Sequence, residues 1–355
     1  MKKIVLTGGG TAGHVTPNLA LLPSLQEAGF LITYMGSYDG IEKRLVEDFG
    51  IPYVGISTGK FRRYLDVKNL TDPFRVIKGY TEARKFLKEY RPDVVFSKGG
   101  FVSVPVVRAA ASLKIPCIIH ESDMTPGLAN KLCFPVAQKI CCNFPETYKM
   151  LPEAKAVLTG TPIRAELAQG NKLAGLEMCG FTANKPVIMV IGGSLGAMNV
   201  NKAVRDALPR LLEKYQVVHL CGKDKVDNLL LTTPGYKQFE YLKSELKDIF
   251  AMADIVISRA GANAICELLA LRKPNILIPL PASSSRGDQL LNAESFETQG
   301  FSMVLHEDDM TTALLVEKVN KLYENRQNYF DAMEQSGQMD SIPTIMELIH
   351  KAARI

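Results

Sequence analysis

The chain has 355 residues, 46% of them hydrophobic and 22% charged, an ordinary balance for a globular protein and enough for two domains of usual size. Its net charge of +5 is mild, and no apolar run approaches the ~18 residues that a membrane span needs. Only Ile4-Val5-Leu6 separate Met1-Lys2-Lys3 from a run of glycines, so no secretory leader is expected; seven cysteines without a C-x-x-C pair predict buried, reduced thiols in a cytosolic setting rather than disulfides or zinc.

The first predicted strand is Lys3–Thr7, and TGGGTAGHVTP follows it at Thr7–Pro17. Gly8, Gly10 and Gly13 give G-x-G-x-x-G, the spacing of a loop that brings backbone N–H groups to a phosphate at a helix N-terminus. A dinucleotide loop also requires an acid at the end of the second strand. Here the second predicted strand, Leu31–Met35, runs into Gly36-Ser37, which counts against NAD. His14 has two readings. It is a buried histidine bonded to a carbonyl, or a general base beginning a helix whose positive end favours the neutral imidazole.

A helix is expected over Asn18–Ala28, then strands at Pro52–Ile56 and Asp93–Ser97 with a helix over Pro73–Glu89 between them. Ten Lys/Arg stand against four Asp/Glu from Lys60 to Arg91, a surplus larger than that of the whole molecule. Phe61, Tyr64, Leu65, Leu70, Phe74, Val76 and Ile77 are interleaved with these bases. Such a stretch is a solvated helix face or a patch for an anionic membrane surface; it is too short, in an otherwise neutral chain, for nucleic acid. Strands at Pro116–His120 and Ala156–Thr159 close the first half, and TGTPIR at Thr159–Arg164 reads as a hinge.

The plan then restarts. A strand over Val187–Ile191 leads into IGGSLGAMN, a second glycine loop with Gly192, Gly193 and Gly196, and into a helix over Asn199–Lys214. Ser194 adds a hydroxyl donor there. Strands follow at Gln216–Leu220, Phe239–Leu242, Asp254–Ser258 and Asn275–Pro279. After Gly261 a helix is expected over Ala262–Leu271, with Glu267 either turned to solvent or accepting from two neighbouring hydroxyls, as a ribose offers. Asp288, Gln289 and Asn292 are polar groups at a helix mouth that suit sugar hydroxyls. A last helix, Ser341–Arg354, has Ile342, Ile345, Met346 and Ile349 on one face. Parallel strands alternating with helices in two halves predict two doubly wound α/β domains.

Taken together, GGGTAGHVTPNLAL (8–21), FSKGGFVSVPVV (96–107), IIHESDMTPGLANK (118–131), GTPIR (160–164), GGSLGA (192–197), SRAGANAICE (258–267) and RGDQLLNA (286–293) resemble the MurG family across nearly the whole chain. These are peripheral membrane N-acetylglucosaminyltransferases that complete the disaccharide of the peptidoglycan lipid precursor. The resemblance implies a GT-B fold, two Rossmann-like domains facing across a cleft. Residues 1–162 would form the acceptor and membrane domain, with 341–355 packed back on it, and 163–340 the UDP-GlcNAc domain.

It also implies site roles. Arg164 and Ser194 would contact the diphosphate, with Gly193, Leu195 and Gly196 around it. Leu242 would lie by the uracil, Glu267 at the ribose beside Ala262 and Asn263, and Gln289 at the sugar hydroxyls. Thr11, Ala12 and Gly13 would belong to the first glycine loop, with His14 at the reacting centre.

Some members carry Gln-Asn after His-Glu where this chain has Ser122-Asp123; an ionised Asp cannot donate as Asn can, so Asp123 either contacts substrate or rivals His14 as base. Some carry Gln at Asp288 and glycine at Ala12. The expected reaction is an inverting transfer of GlcNAc to the 4-hydroxyl of the MurNAc-pentapeptide on undecaprenyl diphosphate. No metal is required by the motif set, which leaves Mg²⁺ stimulation open. The expected place is the cytoplasmic face of the membrane, with cell-wall synthesis and division proteins as candidate partners. The rival readings are a diacylglycerol glycosyltransferase, a UDP-GlcNAc 2-epimerase, a non-catalytic nucleotide-sugar-binding subunit and an NAD oxidoreductase.

Overall fold

The computed structural model describes residues 2–59, 68–192, 197–283, 287–336 and 341–354, with the backbone alone for 68–73. The chain divides into two compact units, 1–164 with 340–355, and 165–339. Arg164, expected at the head of the second domain, closes the first unit.

In the first unit, strands β1 (Lys3–Thr7), β2 (Leu31–Ser37), β3 (Tyr53–Ile56), β4 (Val94–Ser97), β5 (Cys117–Glu121), β6 (Lys139–Cys142) and β7 (Ala156–Leu158) form one sheet in the order β3-β2-β1-β4-β5-β6-β7. Every pairing is parallel. The strands are buried on both faces, so alternate residues feed two cores. Ile4, Leu6 and Phe96 pack on one side, and Val5, Val95 and Ile119 on the other.

The helix Ile342–Ala352 completes the first of these cores with Ile345, Met346 and Ile349. Lys2 Nζ donates to the carbonyl of Ala353 at 2.9 Å. Each such buried apolar side chain contributes roughly 1.5–3 kcal/mol, which holds the end of the chain to the sheet in which it begins.

The second unit repeats the plan. Strands β8 (Val187–Ile191), β9 (Gln216–Leu220), β10 (Tyr236–Phe239), β11 (Ile255–Ser258), β12 (Asn275–Leu277) and β13 (Ser302–Val304) are ordered β10-β9-β8-β11-β12-β13, again all parallel. In both sheets the order reverses beside the first strand, between β1 and β4 and between β8 and β11. Ligands of such sheets bind at that point, outside the carboxyl ends of the strands.

Four expectations change. The helix expected over Asn18–Ala28 is two helices, Thr16–Ala20 and Leu22–Glu27, because Pro23 cannot donate to a helical partner and breaks the run. β6 was not expected: KICC has no β-branched run, but its two buried cysteines behave as small apolar side chains. β13 is only three residues long and carried no signal. The third strand of the second half lies at Tyr236–Phe239 rather than Phe239–Leu242. It is a sheet edge, where only Tyr236 and Gln238 are buried, so apolar content misplaced it. All seven cysteines are buried free thiols.

Candidate active site

At the first switch point three loops leave the carboxyl ends of β1, β4 and β5, and each is held by a buried charged side chain. After β1, the carbonyls of Thr7 and Gly8 are fixed from below. Asn18 Nδ2 donates to Thr7 O at 3.0 Å, and the Tyr34 hydroxyl donates to Gly8 O at 2.8 Å. The N–H of Gly10 donates to Glu42 Oε2 at 3.1 Å, and that of Gly9 to Gly99 O at 3.4 Å. Glu42 is 1% exposed and also accepts from the backbone and hydroxyl of Ser37. The N–H groups of Gly9 and Gly10 are thus engaged inside the protein, above a carboxylate. For Gly9 and Gly10 this departs from the expectation that the glycines of the first loop turn their N–H groups to a phosphate. In the short turn Thr11–Gly13 that follows, Thr11 and Ala12 are exposed and Gly13 is half-buried.

His14 ends that turn, half-buried. Its Nδ1 faces the carbonyl of Gly9 at 3.1 Å and the hydroxyl of Thr11 at 3.2 Å. A carbonyl only accepts, so the ring proton sits on Nδ1 and the lone pair on Nε2. Burial and the nearby Lys98 ammonium lower the His14 pKa, opposed by the Gly9 bond and by Glu42. His14 is thus bonded to a carbonyl, as the first reading expects, and its lowered pKa favours the neutral imidazole with the lone pair on Nε2.

After β4 comes Lys98, 1% exposed. Its Nζ reaches Ser122 Oγ at 2.6 Å, His120 Nδ1 at 2.7 Å and Thr161 Oγ1 at 3.1 Å. His120 Nε2 in turn donates to Gly160 O at 2.7 Å; burial and Lys98 hold its pKa well below the ordinary histidine value. After β5, Glu121 accepts from Asp123 N–H at 3.0 Å, Gly127 N–H at 3.0 Å and Asn130 Nδ2 at 2.9 Å. This carboxylate shapes the loop that presents half-buried Asp123.

Sequence reasoning assigned no role to Glu42, Lys98 or Glu121. Lys98 and Glu121 stood inside quoted motifs. Glu42 lies in IEKRLVE, which reads as a solvated helix turn.

At the second switch point, Gly193, Ser194, Leu195 and Gly196 lie outside the described residues. The helix after them, Met198–Lys214, has no side-chain cap and no acid in its first turn. The helix Ala262–Ala270 likewise follows Gly261 uncapped, with no acid in its first turn. Helix N-termini of this kind favour anions. Ala262, Asn263 and Glu267 are half-buried on it, so Glu267 is neither fully solvated nor in the core.

The carboxyl edge of the second sheet is tied by Arg259. Its guanidinium pairs with Glu307 and donates to Ile278 O at 3.0 Å; Glu307 also accepts from Asn199. Arg164 is half-buried at the end of the first unit, and Leu242 is half-buried just past β10. Gln289 accepts from Leu280 N–H at 3.1 Å, which leaves its NH₂ group as the part suited to a sugar hydroxyl. Asn292, expected at the sugar, is 1% exposed and donates to Ala260 O at 3.0 Å. It is one turn past Gln289, on the helix face that carries buried Ala293 and Phe296, so its amide braces the loop before Gly261 instead.

Two sheets of this order match glycosyltransferase domains. The model of the glycosyltransferase family 28 N-terminal domain matches residues 4–142, and that of the family 28 C-terminal domain residues 187–349. The chain belongs to glycosyltransferase family 28. It is 66% identical over 349 residues to the UDP-N-acetylglucosamine–N-acetylmuramyl-(pentapeptide) pyrophosphoryl-undecaprenol N-acetylglucosamine transferase of Lachnospira eligens, covering 98% of this chain and 99% of that one. The enzyme of the same name from Lachnoclostridium phytofermentans is 63% identical over 351 residues, with 99% of each chain covered. Among solved structures, Acinetobacter baumannii MurG aligns with a TM-score of 0.79 at 26% identity over 99% of this chain and all of that one. As a family 28 glycosyltransferase the chain has two Rossmann-like domains of the GT-B class, as its motifs led one to expect.

The basic stretch is described only in part. Phe61, Tyr64 and Leu65 lie outside the described residues. On the helix Lys68–Tyr90, Phe74 is 75% and Ile77 61% exposed, beside exposed Arg75 and Lys78. No helix among the described residues is long and apolar enough to cross a membrane.

Proposed function

We propose that this enzyme transfers N-acetylglucosamine from UDP-GlcNAc to the 4-hydroxyl of N-acetylmuramyl-pentapeptide on undecaprenyl diphosphate, with inversion. What carries the reading is the near-full-length identity to the Lachnospira enzyme, whose name states the donor, the acceptor and the sugar transferred. The acceptor oxygen attacks the anomeric carbon of GlcNAc, its proton passes to a base, and the anomeric C–O bond breaks with its electron pair leaving on UDP. His14 is the base, supported by a neutral ring whose Nδ1–H is held by Gly9. Asp123 is the rival.

The second domain holds the donor: Glu267 takes the ribose hydroxyls, the Gln289 NH₂ a sugar hydroxyl, and Leu242 lies by the uracil. The leaving diphosphate is offset by the uncapped helix N-terminus at Met198, by Ser194 within Gly193–Gly196 and by Arg164. No resident metal enters this scheme. Phe74 and Ile77, set among bases, dock the first domain on anionic lipid at the cytoplasmic face, where cell-wall synthesis and division proteins are the expected neighbours.

The test is transfer of labelled GlcNAc from UDP-GlcNAc to a short-chain prenyl-diphosphate muramyl-pentapeptide. Product formation establishes the reaction. UDP-GlcNAc binding without transfer, together with transfer to diacylglycerol, would move the acceptor assignment to that lipid.

A further inference from the structure

One peptide group carries two of the contacts described above. The Gly9–Gly10 peptide accepts from His14 Nδ1–H through its carbonyl at 3.1 Å and donates its N–H to Glu42 Oε2 at 3.1 Å. Imidazole, peptide and carboxylate are therefore in series. We propose that Glu42 is a positioning residue that acts on His14 through this peptide, fixing the ring proton on Nδ1 and steadying the imidazolium formed when Nε2 takes a proton. The proposal deepens the reading of His14 as the base and rests on it.

The surroundings are built for this contact. Three donors, Gly10 N–H, Ser37 N–H and the Ser37 hydroxyl, point at the two oxygens of Glu42, and no cation pairs with it among the described residues. A Cβ on Gly9 would stand 2.5 Å from Glu42 Cδ, so only glycine lets the carboxylate come up beneath the loop. On the far side a Cβ on Gly100 would stand 2.2 Å from Gly9 O and 3.3 Å from His14 Nδ1; Gly100 also has φ +82°. The carbonyl is thus gripped between the ring and a backbone that only glycine supplies.

Donation from the peptide N–H to a carboxylate is charge-assisted, and chains of hydrogen bonds polarise one another, so the carbonyl becomes a stronger acceptor for Nδ1–H. A carboxylate placed directly on a catalytic histidine fixes tautomer and orientation in the same way. Here a peptide lies between the two. The charged groups acting on His14 are Glu42 from the helix Ile41–Glu47 and Lys98 from the end of β4, with opposite signs.

The decisive measurement is NMR of the full chain, labelled with ¹⁵N in histidine and glycine. His14→Gln assigns the His14 signals among the five histidines. In wild type, His14 nitrogen shifts should report the Nδ1–H tautomer, and the Gly10 amide should titrate with the His14 midpoint, a response lost in His14→Gln. In Glu42→Gln the Nε2–H tautomer should gain population, and the midpoint should fall by about one pH unit, a tenfold change in proton affinity. A silent Gly10 amide in wild type overturns the proposal even if Glu42→Gln does not fold. Unchanged His14 signals in folded Glu42→Gln overturn it equally. The base reading fails separately: full turnover by His14→Ala would remove it while leaving the NMR result to judge Glu42.

Discussion

The two domains share one sequence plan, a strand, a glycine-rich loop and a helix, and surround it with different charged groups. In the first, the N–H groups of Gly9 and Gly10 are engaged, and a buried carboxylate without an ion-pair partner among the described residues lies beneath them. In the second, the carboxylate at the sheet edge, Glu307, is matched by Arg259, and two helices begin uncapped with no acid in their first turns. The first arrangement suits handling a proton, and the second suits accepting a diphosphate. The glycine spacing is therefore no guide to ligand by itself. The charged residues brought to the two sheet edges from elsewhere are what differs between them.

The most direct way to break this contrast is to remove the base. His14→Ala should lower turnover by roughly 10²–10⁴-fold, the usual contribution of general base catalysis, while UDP-GlcNAc binding to the second domain stays intact. Asp123→Asn should lower it less than tenfold. If Asp123→Asn gives the larger fall, the base belongs to the loop after β5.

On the second domain the corresponding change is Glu267→Ala. Losing a charge-assisted hydrogen bond to a ribose hydroxyl removes about 1.5–3 kcal/mol, so donor affinity measured by calorimetry should fall roughly 10–100-fold. Unchanged affinity would take Glu267 out of the ribose contact. The pH dependence sharpens the comparison further. Because burial and Lys98 lower the His14 pKa, the acid limb of the turnover profile should lie below the ordinary histidine value near 6.5. Activity should persist as pH falls through 6.5 and be lost only as it passes the lowered value. A limb above 6.5 would exclude His14 in this environment.

The fold was largely legible. Two series of short apolar runs separated by helix-length segments placed eleven of the thirteen strands, one of them three residues too far along, because buried parallel strands are apolar throughout. β6 and β13 were invisible because each has a single β-branched residue rather than a run of them. Candidates for the site came only from residues inside a local motif, as His14 and Glu267 are. Glu42 comes from a helix after β2 and reaches the loop through folding alone. Asn292 shows the reverse: its polarity suggested a ligand, yet helical phase turned it inward, which a polar residue near a motif does not reveal.

Asn292→Ala tests that last reading and should have the smallest effect. The substitution removes the donor to Ala260 O and leaves that carbonyl without its buried partner, which argues for a loss toward the upper end of the ~1–3 kcal/mol range for an orphaned group. It also deletes the Asn292 Oδ1, itself buried without a hydrogen bond among the described residues, and relief of that group opposes the loss. The net fall in stability should be about 1 kcal/mol in urea denaturation, with donor affinity within a few-fold of wild type. A tenfold or greater loss of UDP-GlcNAc affinity at unchanged stability would place Asn292 back at the sugar.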